Sequence, residues 1–149
     1  MAQDIVIPDK PMPQDFPQVG ELPRQTKRMF ATSVSKMIDG STYVLYGFIF
    51  GTRQREGYFF LSNQTIGLTC SGKTERAGDR SGKGTVTCTG GGAFDGTSPL
   101  DIPAKVYGRL NGTTTGPVLD ARGSRVGTNI TRWSVSDFPD PSELIAAFK

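Results

Sequence analysis

The sequence predicts a mainly β fold, an antiparallel barrel or sandwich, followed by a short C-terminal helix. Short apolar, β-branched runs recur along the chain and alternate with turn-forming runs such as GGGAFDGTSP, NGTTTG and RGSRVG. The 149 residues include 19 Gly and 10 Pro with 36% hydrophobic residues, which suits short strands joined by many turns and disfavours a helical bundle. This length allows one domain with a real core and is too short for two.

The first 24 residues are predicted to form an extended arm outside a single β-rich domain of residues 25–149. Five of the ten prolines fall in this arm: Pro8, Pro11, Pro13, Pro17 and Pro23. Because proline fixes φ and lacks an N–H donor, such a segment is extended and not helical. We expect the arm to lie across the surface of the domain or to add to the sheet edge of a partner.

Residues 27–40 allow two interpretations, a helix or one half of a hairpin. Apolar residues recur here with helical spacing, at Phe30, Val34, Met37 and Ile38. Asp39-Gly40, however, is a strong tight-turn dipeptide between two apolar runs. We predict the hairpin. Its second strand, residues 42–50, is rich in β-branched and aromatic residues on both faces, as expected of a central strand.

The rest of the chain is predicted to continue as strands and to end in a helix. The further strands are predicted at residues 58–65, 66–70, 84–89, 102–110, 117–121 and 129–135. In DPSELIAAFK, Asp140 is a suitable N-cap, Pro141 takes the first helical position and Glu143 the third. We therefore predict a helix over residues 140–148 that docks on the sheet.

The stretch GLTCSGKT, residues 67–74, matches the written form of a phosphate-binding loop. A working loop needs a helix directly after Gly-Lys-Thr, so that the N–H groups of its first turn face the anion. Here Gly78, Gly82 and Gly84 follow, and each disfavours a helix by about 1 kcal/mol relative to alanine. No parallel βαβ pattern surrounds the motif. We therefore predict no nucleotide and no cofactor.

The chain has two cysteines, Cys70 and Cys88, and no histidine. An isolated pair is compatible with buried thiols in the cytosol or with one disulfide outside it. A zinc site would need two carboxylates as further ligands, and a cysteine nucleophile would lack a histidine base, so we predict neither. A disulfide between these two strands, across a Gly-rich, charged loop, would contribute about 3 kcal/mol in the chain-entropy account.

GLTCSG, followed by a variable loop and GKGTVTCTGGG, resembles a pattern of small, largely uncharacterised bacterial envelope proteins, periplasmic or of lipoprotein type. In those proteins G-x-x-C-x-G precedes G-x-G-x-x-x-C. The matching residues are Gly67, Cys70, Gly72, Gly82, Gly84, Cys88 and Gly90. After Cys88 the chain departs from the pattern, since TGGG replaces an Asp-Gly-Arg turn. The resemblance, over residues 30–135, implies an extracytoplasmic β-domain with Cys70 paired to Cys88, and implies no activity.

The N-terminus and the charge indicate where the protein works and what it contacts. Ala-Gln-Asp after Met1 resembles the residues around a signal-peptidase cut, so we expect an exported protein whose signal was removed. The net charge of +3 is too mild to predict nucleic acid, and an acidic membrane surface stays open as a partner. Candidate anion or partner contacts are Lys73, Arg76, Arg80 and Lys83, although solvated loop charges explain them more simply.

We predict a non-enzymatic structural or protein-interaction module at the periplasm or cell surface, with another envelope protein or a second copy as partner. The first alternative is a glycan- or lipid-binding module. Its pocket would be lined by Tyr43, Tyr46, Phe48, Phe50, Tyr58, Phe59 and Phe60. The second alternative is a hydrolase with paired carboxylates, although the spacing brings no two together. Its candidates are Asp79, Asp95, Asp101 and Asp120.

Overall fold

The computed structural model describes residues 5–11, 25–52, 56–77, 81–90, 95–107 and 109–148. In these residues, antiparallel strands form one sheet that curls into a nearly closed barrel, with one short helix on its outside. The predicted mainly β fold with a C-terminal helix is therefore confirmed.

The eight strands follow one another as a meander, except at the end of the chain. They are β1 (Gln25–Met37), β2 (Thr42–Thr52), β3 (Glu56–Asn63), β4 (Leu68–Ala77), β5 (Ser81–Thr89), β6 (Gly96–Ile102), β7 (Gly112–Leu119) and β8 (Arg125–Ser134), and the helix is α1 (Pro141–Ala146). Their order in the sheet is β6-β5-β4-β3-β2-β1-β8-β7. The last hairpin thus packs beside β1, and this brings both ends of the sheet together.

The hairpin predicted at residues 27–40 is present, and the helical interpretation is wrong. Gly40 has a φ of 94°, which a glycine adopts readily. The turn is closed by the Met37 N–H, which donates to the Ser41 carbonyl at 2.8 Å, and by Asp39 Oδ1, which accepts from the Ser41 N–H at 2.9 Å. Apolar residues occur on both faces of β1 because one face packs in the inner core and the other packs against outer side chains. Their spacing along the sequence therefore resembles that of a helix.

The Gly-rich segment after Cys70 was expected to be a loop, and this expectation is wrong. Strand β4 continues to Ala77, and β5 begins at Ser81. The glycines make room for close packing: a Cβ on Gly84 would lie 1.9 Å from the Lys73 carbonyl oxygen, and one on Gly72 would lie 2.4 Å from the Phe59 ring. Glycine is therefore needed at these positions because the neighbouring atoms leave no room for a side chain, and not because a loop must be flexible.

The strand predicted over residues 102–110 is also wrong. Strand β6 spans Gly96–Ile102 and ends where that prediction begins. The N–H groups of Val106 and Tyr107 both donate to the Pro103 carbonyl at 3.1 Å and so form a turn. Val106 is buried in the core, so this apolar residue belongs to a turn that packs against the sheet.

The main core lies inside the barrel. Its buried members are Ala31, Met37, Leu45, Leu61, Leu68, Cys70, Cys88, Val106 and Trp133. The indole Nε1 of Trp133 donates to the Arg109 carbonyl at 2.9 Å, so its polar atom is satisfied inside the core. The core is therefore built from the inward side chains of the strands and from one turn.

Helix α1 packs on the outside of β1, β2 and β8. Leu144 is 1% exposed and contacts Val34, Val44 and Ile130. Asp140 Oδ1 accepts from the Ser142 N–H at 2.9 Å, which confirms the predicted N-cap. The predicted helix is therefore confirmed, although it ends at Ala146 and not at residue 148.

The two edge strands, β6 and β7, meet through side chains. Ser98 Oγ donates to the Leu119 carbonyl at 2.6 Å. Each edge strand contains a proline, Pro99 in β6 and Pro117 in β7. Proline cannot donate to a ladder and is typical of edges that do not pair further. The nearly closed seam is therefore poorly suited to accept an added strand.

Candidate functional site

Aromatic side chains cover the outer face of β1, β2 and β3. Side chains alternate along each strand, and the register aligns Phe30 with Phe48 and Phe48 with Phe60 across the three strands. We call this surface the aromatic face; its members are Phe30, Tyr46, Phe48, Phe50, Tyr58 and Phe60. Of the aromatics considered as a pocket lining, only Tyr43 and Phe59 lie against the inner core. The other five therefore do not line the interior of the barrel.

The segment between β8 and α1 places one further ring on the aromatic face. The ring centroid of Phe138 lies 5.0 Å from that of Phe30, 5.2 Å from that of Tyr46 and 5.6 Å from that of Phe48. Thr32 Oγ1 holds this segment by donating to the Pro139 carbonyl at 2.6 Å. Tilted and edge-on pairs of this kind contribute about 0.5–1.5 kcal/mol each beyond their burial.

The N-terminal arm crosses the same part of the domain. Asn63 is fully buried, and its Nδ2 donates to the Val6 carbonyl at 3.1 Å and to the Val44 carbonyl at 3.0 Å. Pro8 is buried as well. A small hollow follows at the aromatic face, lined by Pro11, Tyr46, Gly47, Phe48, Phe60, Ser62 and Gln64. It leaves about 10 Å³ free, roughly the space of one water.

One consequence of this contact is that the arm residues 5–11 are fixed through their backbone. The amide of Asn63 links the arm carbonyl to the carbonyl of a central strand, so the arm position depends on a fully buried side chain. Asn63 Oδ1 is the one buried side-chain polar atom without a partner in the described part of the chain. Residues 1–4 and 12–24 of the predicted arm lie outside that part.

A charged group borders the aromatic face on β3 and β4. Tyr58 OH donates to Glu56 Oε2 at 2.8 Å, and Lys73 Nζ lies 3.2 Å from Glu56 and 3.3 Å from Glu75. The hydrogen bond from Tyr58, and then that from Lys73, lower the pKa of Glu56. Hydrogen bonds to Glu56 and Glu75 raise the pKa of Lys73. Burial first, and then Glu56, raise the pKa of Tyr58, whose ring stacks on Phe50 at 5.5 Å.

The predicted basic contacts do not form one patch. Lys73 and Lys83 lie on the outer face of β4 and β5, whereas Arg76 lies on the alternate face of β4. Lys73 is already paired with two carboxylates, and Lys83 is aligned with Glu75 across the strands. Arg80 lies outside the described residues. Of the three described candidates, the structure thus brings Lys73 and Lys83 to one surface.

Of the carboxylates considered for hydrolysis, the described residues include Asp95, Asp101 and Asp120. Asp120 Oδ1 accepts from the N–H groups of Arg122 and Ser124, both at 2.9 Å, and so shapes the turn between β7 and β8. Asp95 precedes β6 and Asp101 lies within it, six residues further on. Asp79 is not among the described residues.

The apparent phosphate loop is part of a hairpin. Lys73 and Thr74 lie in the middle of β4, which continues to Ala77, so a strand stands where a phosphate site needs a helix. Thr74 is 2% exposed and packs inside, while Lys73 points outward. The match therefore has no structural counterpart.

The predicted disulfide is present between Cys70 and Cys88. The two residues are direct partners in the β4–β5 ladder, and each is 7% exposed. The bond joins the two strands inside the core, next to Leu61, the partner of Cys70 in β3. A disulfide of this kind is compatible with an oxidising, exported location.

Across the described ranges, no group of three or more His, Cys, Asp or Glu is arranged to hold a metal ion. In the same residues, no helix has the length and apolar character needed to cross a membrane. Comparison with protein-family models, with curated proteins and with solved structures found no match to this chain.

Sequence reasoning missed two residues of this surface, Asn63 and Phe138. The signal for Phe138 was an aromatic residue directly before Pro139, in a segment that leads into a well-capped helix. For Asn63 no local signal exists, because its contact joins residues 57 positions apart.

Proposed function

We propose that this chain is a non-enzymatic structural or protein-interaction module of an extracytoplasmic assembly, at the periplasm or cell surface. Its aromatic face binds extended, proline-containing segments. The observation that carries the proposal is the position of the chain's own arm, in which Pro11 lines the same small hollow as Tyr46, Phe48 and Phe60.

The physical basis is the match between an extended proline segment and an aromatic surface. Proline restricts the unbound segment, so less conformational entropy is lost when it docks. Aromatic grooves are a recurrent means of binding such segments. Asn63 adds a hydrogen bond to the backbone carbonyl of Val6, which any extended chain could supply in its place. A proline-containing partner, or the arm of a second copy, can thus make the contacts that the arm makes within its own chain.

Two features support the extracytoplasmic part of the proposal. The Cys70–Cys88 bond suits an oxidising compartment. The spacing of glycines around both cysteines resembles that of bacterial envelope domains. In this proposal the aromatic face supplies the docking surface.

The test is to lock the arm in place. In the variant Pro11→Cys/Gln64→Cys, a short bismaleimide bridges two positions of the same hollow. We expect the bridged chain to lose the proteins that co-isolate with the wild type from its source material, because the face stays occupied.

A matched control carries a crosslink away from this face. Thr87 and Thr97 are exposed on β5 and β6, with their Oγ1 atoms 2.8 Å apart, so Thr87→Cys/Thr97→Cys can close a disulfide without touching the arm. The control should keep its partners. If the arm-locked chain retains the same partners as this control, the aromatic face is not their binding site.

A further inference from the structure

A second concave surface lies where β1 ends and β8 begins, beside the residues that follow α1. It has a volume of about 150 Å³ and shares no residue with the aromatic face. We call it the strand-end hollow; it is lined by Lys36, Met37, Ile38, Arg125, Gly127, Thr128 and Phe148. A cavity of about this volume holds one benzene ring, so the hollow fits a single apolar side chain.

An apolar side chain at the rim of the hollow is exposed to solvent. Ile38 is 73% exposed, the highest value among the exposed large hydrophobics of the described residues. Its N–H donates to the Val126 carbonyl at 3.0 Å, and the Gly40 N–H donates to the Met37 carbonyl at 3.0 Å. The backbone of this turn is thus fixed by hydrogen bonds. Ile38 thus adds an exposed apolar side chain to the hollow that Met37 and Phe148 also line.

Two cations flank this apolar floor. The guanidinium of Arg125 is oriented by its Nε, which donates to the Gly127 carbonyl at 3.2 Å, and by a second hydrogen bond to Thr128 Oγ1. Among the described residues, the three salt bridges involve neither Lys36 nor Arg125. Asp39, the acid closest in sequence to Lys36, accepts from the Ser41 N–H within its own turn. The hollow therefore combines an apolar floor with positive charge that those salt bridges do not neutralise.

We propose that the strand-end hollow binds a partner protein through an apolar side chain that is flanked by carboxylates. The apolar side chain enters the hollow against Met37, Ile38 and Phe148, and the carboxylates meet Lys36 and Arg125. This inference rests on the proposed role as an interaction module and names the chemistry of a second contact. Its test uses peptides without proline, so that its outcome is independent of the aromatic face.

The experiment is a titration of the ¹⁵N-labelled full chain, at low ionic strength, with acetyl-Glu-Phe-Glu-amide. We expect shifts at the amides of residues 36–38 and 125–128. Acetyl-Gln-Phe-Gln-amide removes the charges and acetyl-Glu-Ala-Glu-amide removes the ring. Each control peptide should bind about tenfold more weakly, because the first loses two ion pairs and the second loses the ring that fills the hollow; tenfold corresponds to about 1.4 kcal/mol.

Variants of the protein test the same assignment from the other side. Lys36→Gln/Arg125→Gln should weaken the first peptide about tenfold by the same arithmetic. Lys83→Gln/Lys105→Gln removes two exposed lysines elsewhere and should leave binding unchanged.

Three results would overturn the inference. The first is equal binding of all three peptides to the wild type, or equal binding of acetyl-Glu-Phe-Glu-amide to both double variants. The second is shifts confined to residues 46–48 and 60–64, which would place the peptide on the aromatic face and leave the proposed function standing. The third is a response of residues 36–38 to phosphatidylglycerol vesicles without any response to peptide, which would assign the hollow to a membrane surface.

Discussion

Removal of the disulfide gives the sharpest test of how the β4–β5 hairpin is stabilised. The substitution Cys70→Ala/Cys88→Ala deletes a bond between direct ladder partners with a sequence separation of 18. In the chain-entropy account, a loop of this length contributes about 3 kcal/mol by restricting the unfolded chain. Because both cysteines are 7% exposed, loss of the packing of their sulfurs adds to that amount. We expect the free energy of unfolding to fall by about 3 to 4 kcal/mol.

Urea unfolding followed by the fluorescence of Trp133 measures this change, since that side chain is the single tryptophan and is 7% exposed in the core. With a slope of about 1–3 kcal/mol per molar, the midpoint should fall by at least about 1 M. The control Ser71→Ala alters the adjacent outward residue of the same ladder and should change stability by less than about 0.5 kcal/mol. A loss below about 1 kcal/mol in the cysteine variant would refute the reasoning.

Three further predictions concern packing and charge. Leu144→Ala should lower the free energy of unfolding by about 2–5 kcal/mol, because this 1% exposed side chain joins α1 to the sheet; a loss within about 0.5 kcal/mol in urea unfolding would contradict the packing. Gly84→Ala should destabilise the fold strongly, since its Cβ would lie 1.9 Å from a carbonyl oxygen of β4. In the control Gly116→Ala, the added Cβ meets nothing within 4 Å, so its effect on stability should be near neutral. Equal unfolding midpoints for the two variants would contradict this. The hydrogen bond from Tyr58 lowers the pKa of Glu56, so the contribution of Glu56 to stability is complete above the ordinary pKa of 4.5 and is lost as pH falls through the lowered pKa. Glu56→Gln should therefore reduce the loss of stability in acid, measured as urea midpoints from about pH 6 to about pH 3. An unchanged pH profile would contradict this.

Much of the fold could be predicted because its signals are local. Asp39-Gly40 specifies its own turn, and the cap at Asp140 specifies where the helix begins, without help from the rest of the chain. The strand predictions failed where tertiary contact reverses a local preference. Gly72 and Gly82 suggest a loop, yet they lie in strands because a neighbouring backbone or ring occupies the space of a side chain. Val106 suggests a strand, yet it enters the core from a turn.

The candidate site was less accessible from sequence. The alternation of Tyr46, Phe48 and Phe50 shows that these rings share one face of β2. Which face points into the barrel, however, is decided by pairing with β1 and β3. The contact between Asn63 and Val6 depends on where the arm crosses the finished domain, and no periodicity encodes that. The hydrophobic pattern therefore predicts the sheet, but not which of its surfaces is left for a partner.

The central claim is that the aromatic face carries an extended proline segment. Nuclear Overhauser contacts in the ¹³C-labelled full chain test it most directly. The account predicts contacts from the Pro11 ring protons to the rings of Tyr46 and Phe60, together with slow exchange of the Asn63 side-chain amide. Absence of those contacts, with an Asn63 amide that exchanges as fast as an exposed one, would contradict it.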